Sequence, residues 1–169
     1  RIVYQDLAKI NLAVENKTMS QEKPLMDAFN YAIKNNKSIH FLGLVSDGGV
    51  HSHTSHLRGL IDVAQEKGVQ NMFVHAFTDG RDVDPKSGAK YISDLEKYLQ
   101  NTNAKLASVI GRYYAMDRDK RWERVKLAYD LVVNAEGAHS KNAVASINES
   151  YSKDITDEFI QPIVMVDES

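Results

Sequence analysis

Residues 71–111 read NMFVHAFTDGRDVDPKSGAKYISDLEKYLQNTNAKLASVIG, and this stretch decides the fold class. It begins with the nearly continuous apolar run NMFVHAFT, which is typical of a strand buried on both faces of a parallel sheet. A helical stripe follows, in which apolar side chains recur every three or four residues. Its members are Tyr91, Ile92, Leu95, Tyr98 and Leu99. A second apolar run, KLASVIG, closes the stretch, so strand, loop, helix and strand follow one another.

The same alternation extends to both sides of this stretch. The run SIHFLGLVS precedes a helix from His53 to Gly68, which turns Leu57, Leu60, Ile61 and Ala64 inward. After the third strand, RWERVKLAYDLVVNAEG predicts a third crossover helix. Its inward residues are Trp122, Val125, Tyr129 and Val132, and Gly137 closes it. The pattern predicts an α/β fold: a mainly parallel sheet flanked by helices, in three layers (α/β/α), as a single domain.

Two weaker segments complete the predicted fold. KPLMDAFNYAIKNN, residues 23–36, predicts a helix before the first strand, and PIVMV, residues 162–166, predicts a further strand. The stripe of that helix consists of Leu25, Met26, Phe29, Ala32 and Ile33.

Composition excludes several classes of protein. The chain has 169 residues, of which 43% are apolar and 26% charged, as in a globular domain that can bury a core. A net charge of −2 gives no basic field for nucleic acid or an anionic membrane. Cysteine is absent, no apolar run is long enough to span a membrane, and RIVYQDLAKI does not resemble a secretory signal. We therefore expect a cytoplasmic protein without nucleic-acid or membrane partners. Because the sequence lacks an initiator Met, we expect it to be an excised piece.

Three unusual loops follow the predicted parallel strands: SDGGVHSHT, TDGRDVDPKSG and GRYYAMDRDK. Ligands of open α/β sheets collect outside the carboxyl ends of the strands, which is where these loops would lie. Four of the seven arginines of the chain fall in or at the edge of the second and third loops: Arg81, Arg112, Arg118 and Arg121. Guanidinium groups bind carboxylate and phosphate through paired hydrogen bonds, so a small anion is the expected ligand. The alternative is that these arginines form surface salt bridges with Asp79, Asp82, Asp84, Asp117 and Asp119.

The first loop contains three histidines: His51, His53 and His56. His51 and His53 could form a metal pair of the kind found in hydrolases, although two ligands do not complete a site. Alternatively, Gly48 and Gly49 allow a sharp turn that points an imidazole at an anion. A third possibility is that Ser52 or Thr54 caps the next helix and the histidines are incidental. Spacing alone leaves these three possibilities open.

Three longer motifs carry a resemblance to a known family. LVSDGGVHSH, HAFTDGRDVDPKSG and IGRYYAMDRDKRWERVKLAY resemble, in order and spacing, the cofactor-independent phosphoglycerate mutases. RIVYQDLAKIN also matches the family where its chain enters the inserted domain. These enzymes interconvert 3-phosphoglycerate and 2-phosphoglycerate. The resemblance implies that residues 1–169 are an incomplete phosphotransferase, or substrate-binding, domain. It also implies that the alkaline-phosphatase-like domain, with two Mn²⁺ ions and the phosphorylated serine, is absent from this chain.

The resemblance also implies roles for individual residues. It places His51, Arg81, Asp82, Arg112 and Arg118 at the substrate-binding positions, and no metal ligand among them. Asp82 is the candidate general acid/base, or alternatively a salt-bridge partner that positions Arg81. We expect the isolated chain to be catalytically inactive and monomeric, with the phosphatase-like domain as its partner in cis. A metal-dependent hydrolase that uses His51 and His53 and a non-catalytic anion-binding module are the alternatives.

Overall fold

The computed structural model of the protein describes residues 4–166. Residues 1–3, which begin the stretch RIVYQDLAKIN, and residues 167–169 lie outside the described part. The strands are β1 Ile39–Leu44, β2 Met72–Thr78, β3 Ala104–Gly111, β4 Ala138–Ser140 and β5 Ile163–Met165. The helices are α1 Asp6–Glu15, α2 Lys23–Lys34, α3 Thr54–Lys67, α4 Gly88–Leu99, α5 Arg112–Ala115, α6 Trp122–Asn134 and α7 Ala143–Ser152. Two 3₁₀ turns span Met19–Gln21 and Asp157–Phe159.

The strands of the described residues form one sheet in the order β1-β2-β3-β5-β4. β1, β2 and β3 run parallel, β5 is antiparallel to β3, and β4 is parallel to β5. The predicted mainly parallel sheet flanked by helices, in a single domain, is confirmed. The β5–β4 end makes the sheet mixed. No helix within residues 4–166 is long and apolar enough to cross a membrane.

Two apolar clusters lie on opposite faces of the sheet. Successive side chains of a strand point to opposite faces, and on β3 Val109 belongs to one cluster while Ile110 belongs to the other. The larger cluster buries residues of α2, α3, α4 and α7, including Phe29, Ile61 and Ile147. The smaller cluster lies around Ile110 and receives Leu131 of α6. The three predicted layers are therefore present, with α5 and α6 covering the second face near β3 and β5.

Helix α3 shows how local sequence sets an element that positions the site. Its N-cap is His53, whose Nδ1 accepts a hydrogen bond from the backbone N–H of Ser55 at 3.2 Å. Its C-cap is Gly68 at φ 94°, a left-handed conformation that glycine adopts without steric cost. Ile61 and Ala64 are fully buried on the inner face, as the predicted stripe requires.

The structure corrects the prediction for α6. Trp122 is 71% exposed and Tyr129 is 60% exposed, whereas Leu131 is buried instead. The helix presents its larger apolar side chains to the surface, because the inner stripe is offset from the predicted one. The helix ends at Asn134, and its C-cap is Ala135 at φ 55° and not Gly137.

Further differences concern the connections. α6 is not a crossover to a parallel neighbour, because it leads to β4, which lies at the far edge and runs antiparallel to β3. A helix face also differs from the prediction: Ile33 of α2 was predicted to face inward, but it is 43% exposed. Helices α1 and α7 and the short strand β4 were not predicted, because their apolar patterns are weak or brief.

Candidate functional site

The carboxyl ends of β1, β2 and β3 bring the three unusual loops together around one small cavity. This cavity has a volume of about 110 Å³. Its basic lining residues are His51, Arg81, Arg112, Arg118 and Arg124, and its acidic ones are Asp117, Asp119 and Glu158. The excess of guanidinium groups suits the binding of a small anion.

Four of the five predicted substrate-binding residues line this cavity: His51, Arg81, Arg112 and Arg118. The fifth, Asp82, does not line it. Its carboxylate instead accepts a hydrogen bond from Arg112 Nη1, at 2.8 Å from Oδ2. Asp82 is therefore joined to the site through Arg112.

Arg112, the first residue after β3, is held by two carboxylates. Its Nη1 donates to Asp79 Oδ1 at 2.6 Å as well as to Asp82 Oδ2. The side chains are 9% exposed in Arg112, 2% in Asp79 and 18% in Asp82. Burial alone would lower the pKa of Arg112, but the hydrogen bonds and charges of Asp82 and Asp79 outweigh it and raise the pKa. Arg112 is thus a fixed cation.

Asp79, the last residue before the turn at Gly80, is the most connected carboxylate of the site. Its Oδ1 accepts hydrogen bonds from the backbone N–H groups of Arg81, at 3.1 Å, and Asp82, at 3.0 Å. Its Oδ2 accepts the hydroxyl of Ser46 at 2.7 Å. Burial raises the pKa of Asp79, but the hydrogen bonds from the Asp82 backbone, Ser46, Arg112 and the Arg81 backbone lower it overall. The group is therefore ionised at neutral pH.

Arg81 and Arg118 are the accessible arginines of the cavity. The Arg81 side chain is 57% exposed and its Nη1 lies 3.6 Å from Glu158 Oε1. The suggestion that Asp82 forms a salt bridge with Arg81 is wrong, because the Asp82 carboxylate points to Arg112. Arg118 is exposed and makes no hydrogen bond or ion pair with the residues that the structure describes. Arg112 does pair with two of the aspartates named in the salt-bridge alternative, but in the interior and not at the surface, whereas Arg118 pairs with none of them within residues 4–166.

The first loop carries His51 into the cavity. Gly49 adopts φ 68°, and a Cβ at Gly48 would lie 3.0 Å from the Cβ of Asp82, so this turn requires small residues. The hydroxyl of Tyr91, on α4, donates a hydrogen bond to Asp47 at the start of the turn. The loop is thus fixed from outside the cavity.

The other two histidines of this loop have structural positions. His53 caps α3 itself, whereas Ser52 donates its hydroxyl hydrogen bond to the carbonyl of Leu44. His56 is buried and bonds Asn11 of α1. Burial is the main reason that its pKa is lowered, and the nearby His53 adds to it. His53 therefore stands at the start of α3, as predicted, and His56 lies in the first turn of that helix, where it contacts α1.

Sequence reasoning missed Arg124, whose guanidinium carbon lies 3.9 Å from the centroid of the Tyr113 ring. Arg124 also donates to the almost fully buried carboxylate of Asp117 at 3.2 Å. The available signal was the run of alternating charges that leads into α6. Glu158 was also missed. It comes from the distant Asp157–Phe159 turn, and no local pattern connects that turn with the cavity.

No three His, Asp or Glu side chains within the described range are grouped so that they could hold a metal ion. The chain also lacks cysteine. The described residues therefore do not fit the two Mn²⁺ ions that the resemblance implies for the whole enzyme.

Comparisons of the sequence and of the fold with known proteins lead to the same family. Residues 10–169 match the family model described as BPG-independent PGAM N-terminus (iPGM_N). A crystal structure of Leishmania mexicana phosphoglycerate mutase at low cobalt concentration superimposes with a TM-score of 0.91 at 29% identity. That match covers 99% of this chain and 32% of the Leishmania chain.

Curated relatives agree with this match. The chain is 72% identical to the 2,3-bisphosphoglycerate-independent phosphoglycerate mutase of Flavobacterium johnsoniae, over 100% of this chain and 34% of the relative. It is 56% identical to the enzyme of the same name from Parabacteroides distasonis, over 99% of this chain and 33% of the relative. The chain therefore spans about a third of the length of these relatives. By its sequence and its fold, it belongs to the 2,3-bisphosphoglycerate-independent phosphoglycerate mutase family.

Proposed function

We propose that residues 1–169 form the substrate-binding, phosphotransferase part of an isomerase that interconverts 3-phosphoglycerate and 2-phosphoglycerate. The observation that carries this proposal is the arginine-lined cavity at the carboxyl ends of three parallel strands, in a chain of this family. On this proposal the domain is incomplete, and the phosphatase-like domain that completes the enzyme acts in cis.

The cavity residues suit the two anionic groups of a phosphoglycerate. Arg118 has all its donors available, and Arg112 is oriented by two carboxylates before a ligand arrives. A fork of parallel N–H donors matches a carboxylate or a phosphate in geometry as well as charge. We assign Arg112 and Arg118 to hold the substrate, Arg81 to assist, and His51 to donate a hydrogen bond to a phosphate or hydroxyl oxygen.

The reaction requires that the glycerate be retained while it turns. After its phosphoryl group has been taken up outside this chain, the other hydroxyl must be presented for attack before the glycerate escapes. Fixed arginines restrict the translation and rotation of the intermediate, which raises its effective concentration. The cavity is small enough to limit the orientations that such a molecule can adopt.

Asp82 is the proposed general acid/base, which exchanges protons with the 2- and 3-hydroxyl groups. Two carboxylates contact Arg112, and they differ in access. The Asp82 side chain is 18% exposed and can be reached by a hydroxyl group, whereas Asp79 at 2% cannot. A carboxylate that accepts only one hydrogen bond from Arg112 keeps acceptor capacity for a substrate proton.

The phosphoserine and the Mn²⁺ ions belong, on this proposal, to the part of the enzyme outside this chain. We further propose a monomeric, cytoplasmic enzyme without nucleic-acid or membrane partners. A hydrolase built on His51 and His53 has little support. His53 Nδ1 is engaged in capping α3, and His51 faces the arginines.

The decisive experiment compares two neighbouring arginines in the full-length protein. Arg118 lines the cavity, whereas Arg121 does not and pairs with Glu123 at 3.8 Å. Arg118→Gln should lower kcat/KM for 3-phosphoglycerate by roughly 10- to 100-fold, the value of lost charge-assisted hydrogen bonds. Arg121→Gln is the matched control and should remain close to wild type. Equal effects of the two variants would contradict the proposed site.

The residues 1–169 alone provide a second test. We expect them to form no 2-phosphoglycerate from 3-phosphoglycerate, while the full-length protein does. Sustained turnover by the isolated segment would contradict the assignment of the phosphoryl-transfer residues to another domain. A full-length protein that binds 3-phosphoglycerate without converting it would instead indicate an anion-binding module.

A further inference from the structure

We infer that Asp79 is a positioning residue that sets the geometry of Arg81, Asp82 and Arg112 together, without touching the substrate. This inference rests on the proposed function, because the three groups it holds are the proposed substrate-binding residues of the second and third loops. Nothing in the resemblance assigns it a role.

The contacts of Asp79 Oδ1 carry the first step. This single oxygen accepts hydrogen bonds from Arg112 Nη1 at 2.6 Å, Asp82 N at 3.0 Å and Arg81 N at 3.1 Å. The two backbone bonds fix the turn that directs the Arg81 and Asp82 side chains, and the third fixes the guanidinium of Arg112, the residue that follows β3. One buried acceptor therefore links two loops that are distant in sequence, since Asp79 and Arg112 are 33 positions apart.

Ser46 extends the link to the first loop. Its hydroxyl donates to Asp79 Oδ2 at 2.7 Å, and it is itself only 1% exposed. Ser46 directly follows the apolar run of β1 and precedes the turn at Gly48 and Gly49 that leads to His51. Both carboxylate oxygens of Asp79 are thus held by the protein, and the group has little freedom to rotate.

The arrangement leaves Arg112 available for an anion. All the hydrogen bonds of its guanidinium to residues 4–166 come from Nη1, while Arg112 lines the cavity. Nε and Nη2 of Arg112 make no hydrogen bond with those residues. Both nitrogens keep accessible surface, so neither is a buried donor without a partner. Asp79 therefore fixes one edge of the fork and leaves the remaining N–H groups for the ligand. Because Asp79 is 2% exposed, it acts through Arg112 and not by direct contact.

The test uses the full-length enzyme and the conversion of 3-phosphoglycerate. Asp79→Asn keeps the side-chain size but removes the charge, and it should lower kcat/KM about 100-fold, as a misplaced binding group does. Ser46→Ala keeps the carboxylate but frees one oxygen, and it should give a smaller loss, roughly five-fold. Asp130→Asn is the matched control. Asp130 is a buried carboxylate of α6 that bonds Lys126 and Asn134, away from the cavity.

A double-mutant cycle separates positioning from a general loss of stability. Because Asp79 acts partly through Arg112 and partly through the Arg81–Asp82 turn, Asp79→Asn should cause a smaller fold-loss in kcat/KM when Arg112→Gln is present than it causes in wild type. Losses that multiply, or an Asp79→Asn enzyme with the kcat/KM of wild type, would overturn the inference. If Asp79→Asn does not fold, the same cycle with Ser46→Ala decides in the same way. A wild-type protein that does not convert 3-phosphoglycerate would overturn the proposed function, and this inference with it.

Discussion

Arg81 and Glu158 form an ion pair in the lining of the cavity, with 3.6 Å between Nη1 and Oε1. Their side chains are 57% and 20% exposed, so an incoming anion can reach the guanidinium and displace the carboxylate. Glu158 is brought there by close backbone contacts. A Cβ at Gly80 would lie 2.9 Å from Glu158 N. An anion bound at the proposed site would therefore compete with Glu158 for one of the accessible arginines.

Replacing Glu158 by Gln should strengthen substrate binding, because the competing charge is removed while the side-chain length is kept. An exposed ion pair is worth about 0–1 kcal/mol, so KM for 3-phosphoglycerate should fall by up to about five-fold. The effect should shrink at high salt. Glu123→Gln, at the exposed Arg121–Glu123 pair, is the control and should leave KM unchanged. A higher KM for Glu158→Gln would mean that Glu158 positions Arg81 instead.

The sequence was sufficient to predict the parts of the site that follow strands. The ends of buried parallel strands predicted the loops of Arg81 and Arg112 as a place for an anion, whereas the role of His51 was implied by the resemblance to the family. The structure brings all three residues to one cavity. Glu158 could not be predicted from the sequence, because its position depends on contacts with Gly80 and Gly111, which are far away in sequence. Asp79 had a local signal. At a turn, an aspartate side chain commonly accepts hydrogen bonds from the backbone N–H groups two and three residues after it. Asp79 does so with Arg81 and Asp82.

The helix faces show why pattern alone was insufficient. The periodicity of α3 correctly predicted Ile61 as buried, because α3 lies over the large cluster of the sheet. In α6 the same reasoning placed Trp122 and Tyr129 inside, whereas both are exposed. Apolar periodicity reports that a helix has an apolar face. It does not report which neighbouring face the helix covers.

Gly111→Ala should destabilise the protein and disturb the cavity. A Cβ at Gly111 would overlap the carbonyl oxygen of Glu158 and lie 2.7 Å from Ile160 N, so backbone must move. Overpacking of this kind costs about 1–3 kcal/mol in the free energy of unfolding, which urea denaturation measures. Gly43→Ala is the matched control in β1, since nothing lies within 4 Å of its Cβ position. Similar losses in both variants would show that strand glycine itself, and not the close contact, matters.

Tyr91→Phe should weaken substrate binding by loosening the loop that carries His51. The lost hydrogen bond to Asp47 is worth about 0.5–1.5 kcal/mol, so KM should rise roughly two- to ten-fold. Burial, then the hydrogen bond to Asp47 and its charge, raise the pKa of Tyr91 to about 12. The phenol therefore keeps its proton near neutrality, and the ratio of mutant to wild-type KM should be constant from about pH 6 to about pH 9.

Hydrogen exchange would locate the effect of Tyr91→Phe. We expect faster exchange in residues 46–53 and no change in β2. Tyr129→Phe, at an exposed tyrosine of α6, should behave as wild type. Unchanged exchange in the loop, with a raised KM, would show that Tyr91 acts on substrate binding by another route.

Arg112→Gln should lower stability as well as activity, unlike Arg118→Gln. Removing Arg112 leaves the carboxylate of Asp79, 2% exposed, without its cation. Breaking a buried pair in this way costs about 3–5 kcal/mol, measured as the free energy of unfolding in urea. Arg118→Gln should leave that free energy unchanged, because Arg118 is exposed and unpaired within residues 4–166. Equal stability of the two variants would contradict the buried Asp79–Arg112 pair.

His75 should make the protein lose stability in mild acid. It lies in β2, 5% exposed, with Nε2 2.9 Å from His40 Nδ1 and Nδ1 2.8 Å from Ser108 Oγ. Burial, and secondarily His40, lower the pKa of His75 from 6.5 to about 4. The unfolded chain therefore binds the proton first. The stabilising contribution of neutral His75 is present above pH 6.5 and is lost as the pH falls towards 4.

The expected loss from His75 is about 3 kcal/mol between about pH 7 and about pH 4, measured as the free energy of unfolding in urea at several pH values. His75→Gln should flatten this dependence, whatever its stability at neutral pH. His139→Gln, at an exposed histidine of β4, should keep the wild-type slope. Carboxylates titrate in all three proteins, so their contribution cancels in the comparison. Parallel curves for wild type and His75→Gln would show that His75 does not resist protonation in the folded protein.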